Sequence, residues 1–111
     1  MTTITRRRGD TYAETVTVTD SAGAVVNITG YTFKLTVDPE KAPATAANNL
    51  FQITGTILSG PAGTVEFAPS ALQADRTPGT YYYDVQMVDG AGRIRTIALD
   101  KWVVTQDITK T

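Results

Sequence analysis

The strongest constraint on the fold is a stretch in which hydrophobic character alternates with a period of two. Apolar side chains occupy every second position between residues 31 and 38: Tyr31, Phe33, Leu35 and Val37. Successive side chains of a strand point to opposite faces, so this pattern predicts a strand with one buried face. A shift of register by one residue would bury Lys34 and Asp38, and we therefore expect the register to be firmly fixed.

A second alternating stretch follows the turn signal Pro78-Gly79. It predicts a strand over residues 80–88 and places one apolar set on the same face: Tyr81, Tyr83, Val85 and Met87. Tyr82 points the other way, beside Asp84 and Gln86. We expect Tyr81 and Tyr83 to be core residues and Tyr82 to be at the surface.

Shorter segments of the same kind fill most of the chain. They predict strands over residues 11–20, 25–28, 50–58, 64–68, 93–99 and 102–105. Turn signals separate them, and Ser70 is expected to cap a single helical turn with Leu72 packed beneath it. The stretch from Pro39 to Asn49 lacks any strand pattern and is interpreted as a surface loop. Seven or eight short strands predict an all-β, immunoglobulin-like sandwich of two antiparallel sheets without a disulfide.

Length and charge limit the organisation and the partners. The chain has 111 residues, which fits a single domain over residues 1–111. Ten basic and eleven acidic side chains give a net charge of −1, which removes the bulk attraction to nucleic acid or an anionic membrane. The N-terminal residues lack the apolar region of a secretion signal. We expect a protein made in a cytoplasm, with no nucleic-acid or membrane partner.

The residue inventory argues against catalysis and cofactor binding. The chain has no His and no Cys, so the usual general base, the commonest metal ligand and the thiol nucleophile are all missing. The segments Asp20–Gly23 and Asp89–Gly92 contain acidic residues, but they lack the alternating oxygen ligands of a calcium loop. We interpret both as turns and expect no enzymatic activity, no metal and no cofactor.

Two features near the N-terminus invite a binding interpretation. Arg8-Gly9-Asp10 spells a tripeptide that integrins recognise, but it stands at the entrance to a strand. We expect Gly9 to provide an unusual backbone angle and Asp10 to bond nearby backbone amides. Arg6, Arg7 and Arg8 form a short basic cluster, interpreted as a solvated strand edge that is a candidate surface for an acidic partner.

Aromatic residues offer the alternative function. Tyr82, together with the loop from Pro39 to Asn49, is the candidate surface of a glycan-binding or host-surface-binding module. Trp102 is expected to pack in the core. At the level of the sequence, two interpretations of Tyr82 remain open: an ordinary surface residue of the sheet, or part of a glycan-binding surface.

The segment from Asp75 to Tyr83 resembles the tyrosine corner of immunoglobulin-like domains. The Pro78-Gly79 signal places Gly79 in the turn, and the resemblance implies that the Tyr81 hydroxyl bonds to the backbone upstream. Tyr83 takes the position of the cysteine that would join the sheets. Aromatic packing is then expected to supply the contact between the sheets.

A broader resemblance extends over nearly the whole chain. Its motifs are Arg8-Gly9-Asp10-Thr11, Asp20–Gly23, Val26–Gly30, Pro78–Gln86 and Val104–Thr109. In this order they resemble small tailed-phage proteins, including immunoglobulin-like domains similar to the N-terminal domain of baseplate upper proteins. The resemblance implies a non-enzymatic virion structural protein of the tail, baseplate or capsid decoration. It would bind other virion proteins and form a homo-oligomer in the particle, with its terminal strands, residues 4–8 and 102–108, as exposed edges.

Overall fold

A computed structural model of the chain describes residues 3–40 and 50–106. Within that part the chain forms eight strands and one short helix. In chain order they are β1 (Ile4–Arg7), β2 (Glu14–Thr17), β3 (Thr32–Asp38), β4 (Phe51–Thr54), β5 (Thr56–Ser59), β6 (Thr64–Phe67), α1 (Ala71–Ala74), β7 (Gly79–Val88) and β8 (Ile94–Thr105).

The strands form two sheets, which confirms the predicted all-β sandwich. The larger sheet has the order β1-β8-β7-β3-β4, and the smaller has the order β2-β6-β5. In the small sheet this is the B-E-D neighbour order of an immunoglobulin-like domain, and β8-β7-β3 matches its G-F-C order. One pairing departs from the antiparallel prediction, because β1 runs parallel to β8.

The core lies between the two sheets and uses the predicted alternation. Phe33, Leu35 and Val37 of β3 are buried, and their register partners on β7 are Met87, Val85 and Tyr83. The small sheet contributes Val65 and Phe67 from β6, both fully buried. The register of β3 is therefore the one that the sequence predicts.

Gly55 divides the region predicted as one strand over residues 50–58. Strand β4 pairs with β3 in the large sheet, whereas β5 pairs with β6 in the small sheet. A Cβ atom at position 55 would lie 2.8 Å from Val65 Cγ2 and 2.9 Å from the Phe33 Cβ. Only glycine lets the chain cross between the sheets at this point without displacing core side chains.

Several predicted strand boundaries were wrong. The strand predicted over residues 11–20 is restricted to Glu14–Thr17. The strand predicted over residues 25–28 is reduced to a single bridge between Thr19 and Val25. Residues 94–105 form one continuous strand, since pairing with β7 extends through the positions predicted to interrupt it.

The predicted helical turn is confirmed, but its packing is not. Ser70 accepts a bond from the Gln73 N–H, and the Gln73 side chain accepts one from the Ser70 N–H. Leu72 was expected beneath this turn and is instead 80% exposed. No helix in the described segments is long and apolar enough to cross a membrane. The predicted loop over residues 39–49 lies outside the described residues, except for Pro39 and Glu40.

Asp38 lies on the outer face of the large sheet, as predicted, but it is buried there rather than solvated. It ends β3 opposite Tyr82, and its carboxylate accepts a hydrogen bond from the Glu40 N–H at 2.8 Å. This bond offsets part of the cost of removing the carboxylate from water.

Candidate protein interface

Arg6 does not belong to the surface on which the sequence placed it. Its side chain is 3% exposed, whereas Arg7 is exposed and Arg8 is intermediate. The reason is the alternation of β1, since Ile4 and Arg6 point to the core face and Thr5 and Arg7 point away. The prediction of Arg6 as part of a binding surface is wrong.

The buried guanidinium of Arg6 joins the two sheets at one side of the sandwich. It donates to Glu14 Oε2 on β2 at 2.6 Å and to the backbone carbonyls of Asp10 and Tyr12 at 2.9 and 2.6 Å. Its Cζ lies 3.9 Å from the centre of the Tyr12 ring and 5.6 Å from that of Trp102. Bonded on its edge and covered by rings, the charge is well compensated.

An open groove of about 410 Å³ runs beside β1. It is lined by Thr5, Arg7, Asp10, Tyr12 and Thr105. Arg7 donates to the Gln106 carbonyl at 3.2 Å, and the exposed part of the Tyr12 ring provides apolar surface. Strand β1 is at the end of the large sheet, so this groove adjoins a sheet edge.

The Arg8-Gly9-Asp10 segment forms a turn that is tied to the body of the protein. Gly9 has a φ of +86°, as the sequence predicted, and its N–H donates to the Ala74 carbonyl. Arg8 forms an ion pair of 2.7 Å with Asp75. Among the described residues, Asp10 makes its contacts with backbone atoms rather than with its carboxylate as expected: its N–H donates to Arg7 and its carbonyl accepts from Arg6.

The tyrosine-corner residues have distinct positions. The Tyr81 hydroxyl donates to the Thr77 carbonyl at 2.5 Å, which is the upstream backbone bond that the resemblance implied. Gly79 is already the first residue of β7, opposite Val104, and is therefore an ordinary strand residue rather than a turn residue.

Tyr83 and Trp102 are buried in one aromatic cluster. Trp102 meets Tyr83 and Phe51 edge to face, with ring centres 6.1 and 5.9 Å apart. All three residues belong to the large sheet, so the expected contact between sheets is a contact within one sheet. Burial raises the pKa of the Tyr83 hydroxyl, and the negative charges of Asp100 and Glu14 raise it further.

Tyr82 lies on the outer face of the large sheet. It stands between Asp38 on β3 and Lys101 on β8 and is only partly exposed. Asp84, two residues further along the same face, stands opposite Leu99, and burial raises the pKa of its carboxyl. A stacking platform for sugars needs an exposed ring, so the position of Tyr82 does not favour glycan binding.

The first part of β8 is an open edge of the large sheet. Strand β1 pairs only with Trp102–Thr105, so residues 102–105 of the edge predicted over 102–108 are covered, and residues 107–108 lie outside the described residues. From Ile94 to Lys101, β8 has a strand partner on one side only within the described chain, and on the other side the Thr3 hydroxyl donates to Asp100 near its end. Ile94 is 68% and Leu99 is 47% exposed along this segment. We call residues 94–101 the β8 edge.

Other classes of site gain no support. Across residues 3–40 and 50–106 there is no group of three or more acidic, His or Cys side chains that could hold a metal ion. Comparison of the chain with protein-family models and with curated proteins finds no match. The sheet edges and the sequence motifs are therefore the features from which a function can be inferred.

Proposed function

We propose that the chain is a non-enzymatic structural protein of a bacteriophage virion that works by protein–protein contacts. The observation that carries the proposal is the β8 edge, where open backbone groups are combined with exposed Ile94 and Leu99. An unpaired strand offers donors and acceptors to a strand of another protein. Strand β1, with the groove beside it, is a second open edge of the same sheet.

The phage context comes from the order of motifs, from Arg8-Gly9-Asp10-Thr11 at the start to Val104–Thr109 at the end. A tail, baseplate or capsid-decoration protein needs a rigid domain that presents edges to neighbours and has no need of a catalytic pocket. A sandwich whose exposed chemistry lies along its edges is suited to that role.

Quantitative mass spectrometry of purified particles of the phage that encodes the chain would test the proposal. A structural protein is expected in a fixed ratio to the other virion proteins after gradient purification and a high-salt wash. Presence in the infected cell but absence from washed particles would contradict the proposal.

A further inference from the structure

The direction of the backbone groups along the β8 edge follows from two hydrogen bonds. The Asp89 N–H donates to the Arg93 carbonyl. The backbone N–H and C=O groups of Arg93 and Arg95 therefore point towards β7, and those of Ile94 and Thr96 point away from it. At the other end, the Arg8 N–H donates to the Thr105 carbonyl, so the backbone groups of Thr105 point towards β1 and away from β7. By alternation the backbone groups of Val103, Lys101 and Leu99 also point away from β7. A bulge between these two parts accounts for the change of parity.

The side chains along the same edge fall on two faces. Ile94 and Leu99 stand opposite Val88 and Asp84, on the outer face of the large sheet. Asp100 stands opposite Tyr83, on the core side, and alternation places Arg93 on that side as well. Near one end, Ile94 on the outer face is flanked by Arg93 and Arg95 on the core side; near the other, Leu99 and Lys101 lie on the outer face and Asp100 on the core side.

We propose that the β8 edge pairs with the β8 edge of a second copy of this chain, antiparallel and around a two-fold axis. Ile94 of each copy would then lie opposite Leu99 of the other, both with backbone groups directed at the partner strand. In the same register Arg93 lies opposite Asp100, with opposite charges on the same side of the sheet. The pairing gives a continuous sheet across two copies, and as an account of a partner it rests on the proposed structural role.

Charge complementarity supports contact between two β8 edges. Along the β8 edge the two-fold axis brings unlike charges together twice, because each copy provides both Arg93 and Asp100. A second copy is thus the occupant that the chemistry of this edge fits.

Sedimentation velocity on the full chain over a dilution series tests the pairing. We expect a monomer–dimer equilibrium, and Leu99→Lys is expected to weaken the dimer at least about tenfold, since it places a charge in the interface. The matched control is Leu72→Lys, which replaces another exposed leucine, on α1 and outside the β8 edge, and should leave the equilibrium unchanged.

Charge reversal tests the register itself. Arg93→Asp and Asp100→Arg should each weaken the dimer by about tenfold or more, because each places like charges opposite one another. The double variant should recover most of the lost affinity. Asp100 also accepts a bond from the Thr3 hydroxyl, so recovery in the double variant distinguishes the pairing from loss of that contact.

Cross-linking provides a readout that survives weak affinity. The chain has no cysteine, so Thr96→Cys introduces a single thiol close to the proposed two-fold axis. It should form a disulfide-linked dimer under mild oxidation much faster than Leu72→Cys does. A monomer at every concentration without selective cross-linking would overturn the inference, as would a dimer insensitive to Leu99→Lys and to both charge reversals. Either result would leave the proposed role to be judged by the composition of the particle.

Discussion

Arg6 carries a positive charge into one side of the core, and Glu14 compensates this charge. Removing one partner of a buried ion pair costs about 3–5 kcal/mol. Because the Glu14 side chain is 23% exposed, we expect Glu14→Ala to lower the free energy of unfolding by about 2 kcal/mol. Urea denaturation measures the change.

The matched control for this prediction is Glu66→Ala on the neighbouring strand β6. Glu66 is also partly buried and forms no ion pair among the described residues. Its removal should change stability by no more than about 0.5 kcal/mol. Equal losses in the two variants would show that the Arg6–Glu14 bond contributes nothing specific.

Tyr81 is the second residue whose polar group supports the fold. Tyr81→Phe removes the hydrogen bond to the Thr77 carbonyl and should cost about 1 kcal/mol in the free energy of unfolding. Tyr82→Phe is the control, since no hydrogen bond of its hydroxyl is found within the described residues. If Tyr81→Phe and the unaltered chain had the same urea midpoint, the hydrogen bond from Tyr81 to Thr77 would not contribute to the free energy of unfolding.

Whether a side chain is buried or exposed could be predicted from the alternation with period two, provided that the charge of the side chain was ignored. The alternation that turns Ile4 towards the core also buries Arg6, so the signal for the position of Arg6 was present in the sequence. The cluster of three arginines suggested a solvated surface instead. Which acceptors surround a buried guanidinium depends on Glu14, Asp10 and Tyr12, and their convergence is a tertiary property that local pattern does not contain.

At the scale of elements, Gly55 sets the boundary between two strands and the two sheets. Gly55→Ala would press a methyl group against Val65, Phe33 and Phe67 at less than 3 Å, and the overpacking should cost about 1–3 kcal/mol. Thermal denaturation of the variant measures this cost. Gly90→Ala is the control, because a Cβ atom there meets nothing within 4 Å and its φ is not in the left-handed region. Equal stability of the two variants would contradict a steric role for Gly55.

The division at Gly55 explains why one strand was predicted where two exist. The apolar positions Phe51, Ile53 and Ile57 keep the same parity through Gly55, so period two gives no sign of a change of sheet. Proline and asparagine, which mark turns by their own conformational preferences, are absent from residues 51–59. By contrast, the cap at Ser70 is a local device, and the sequence was sufficient to predict it.

At the scale of the whole molecule, the number of layers was predictable and the open edges were not. Alternation specifies that each strand has one buried face, which requires two sheets packed together. Whether β8 has a neighbour on both sides depends on β1, which is about 100 residues away in the chain. Strand β1 pairs in parallel with only the last four residues of β8. Such pairing is non-local, and the sequence of either strand alone does not determine it.

One shared core predicts one cooperative transition for the whole domain. Neither sheet can bury its inner face alone, since Val65 and Phe67 of the small sheet complete the core formed by the large one. Trp102 is the only tryptophan and reports on the large sheet, whereas far-ultraviolet circular dichroism reports on the strands of both sheets. In urea the two signals should give coincident curves with a single midpoint and a slope of about 1–3 kcal/mol per molar. Curves with separate midpoints would mean that the sheets unfold independently, and the crossing at Gly55 would then not couple them.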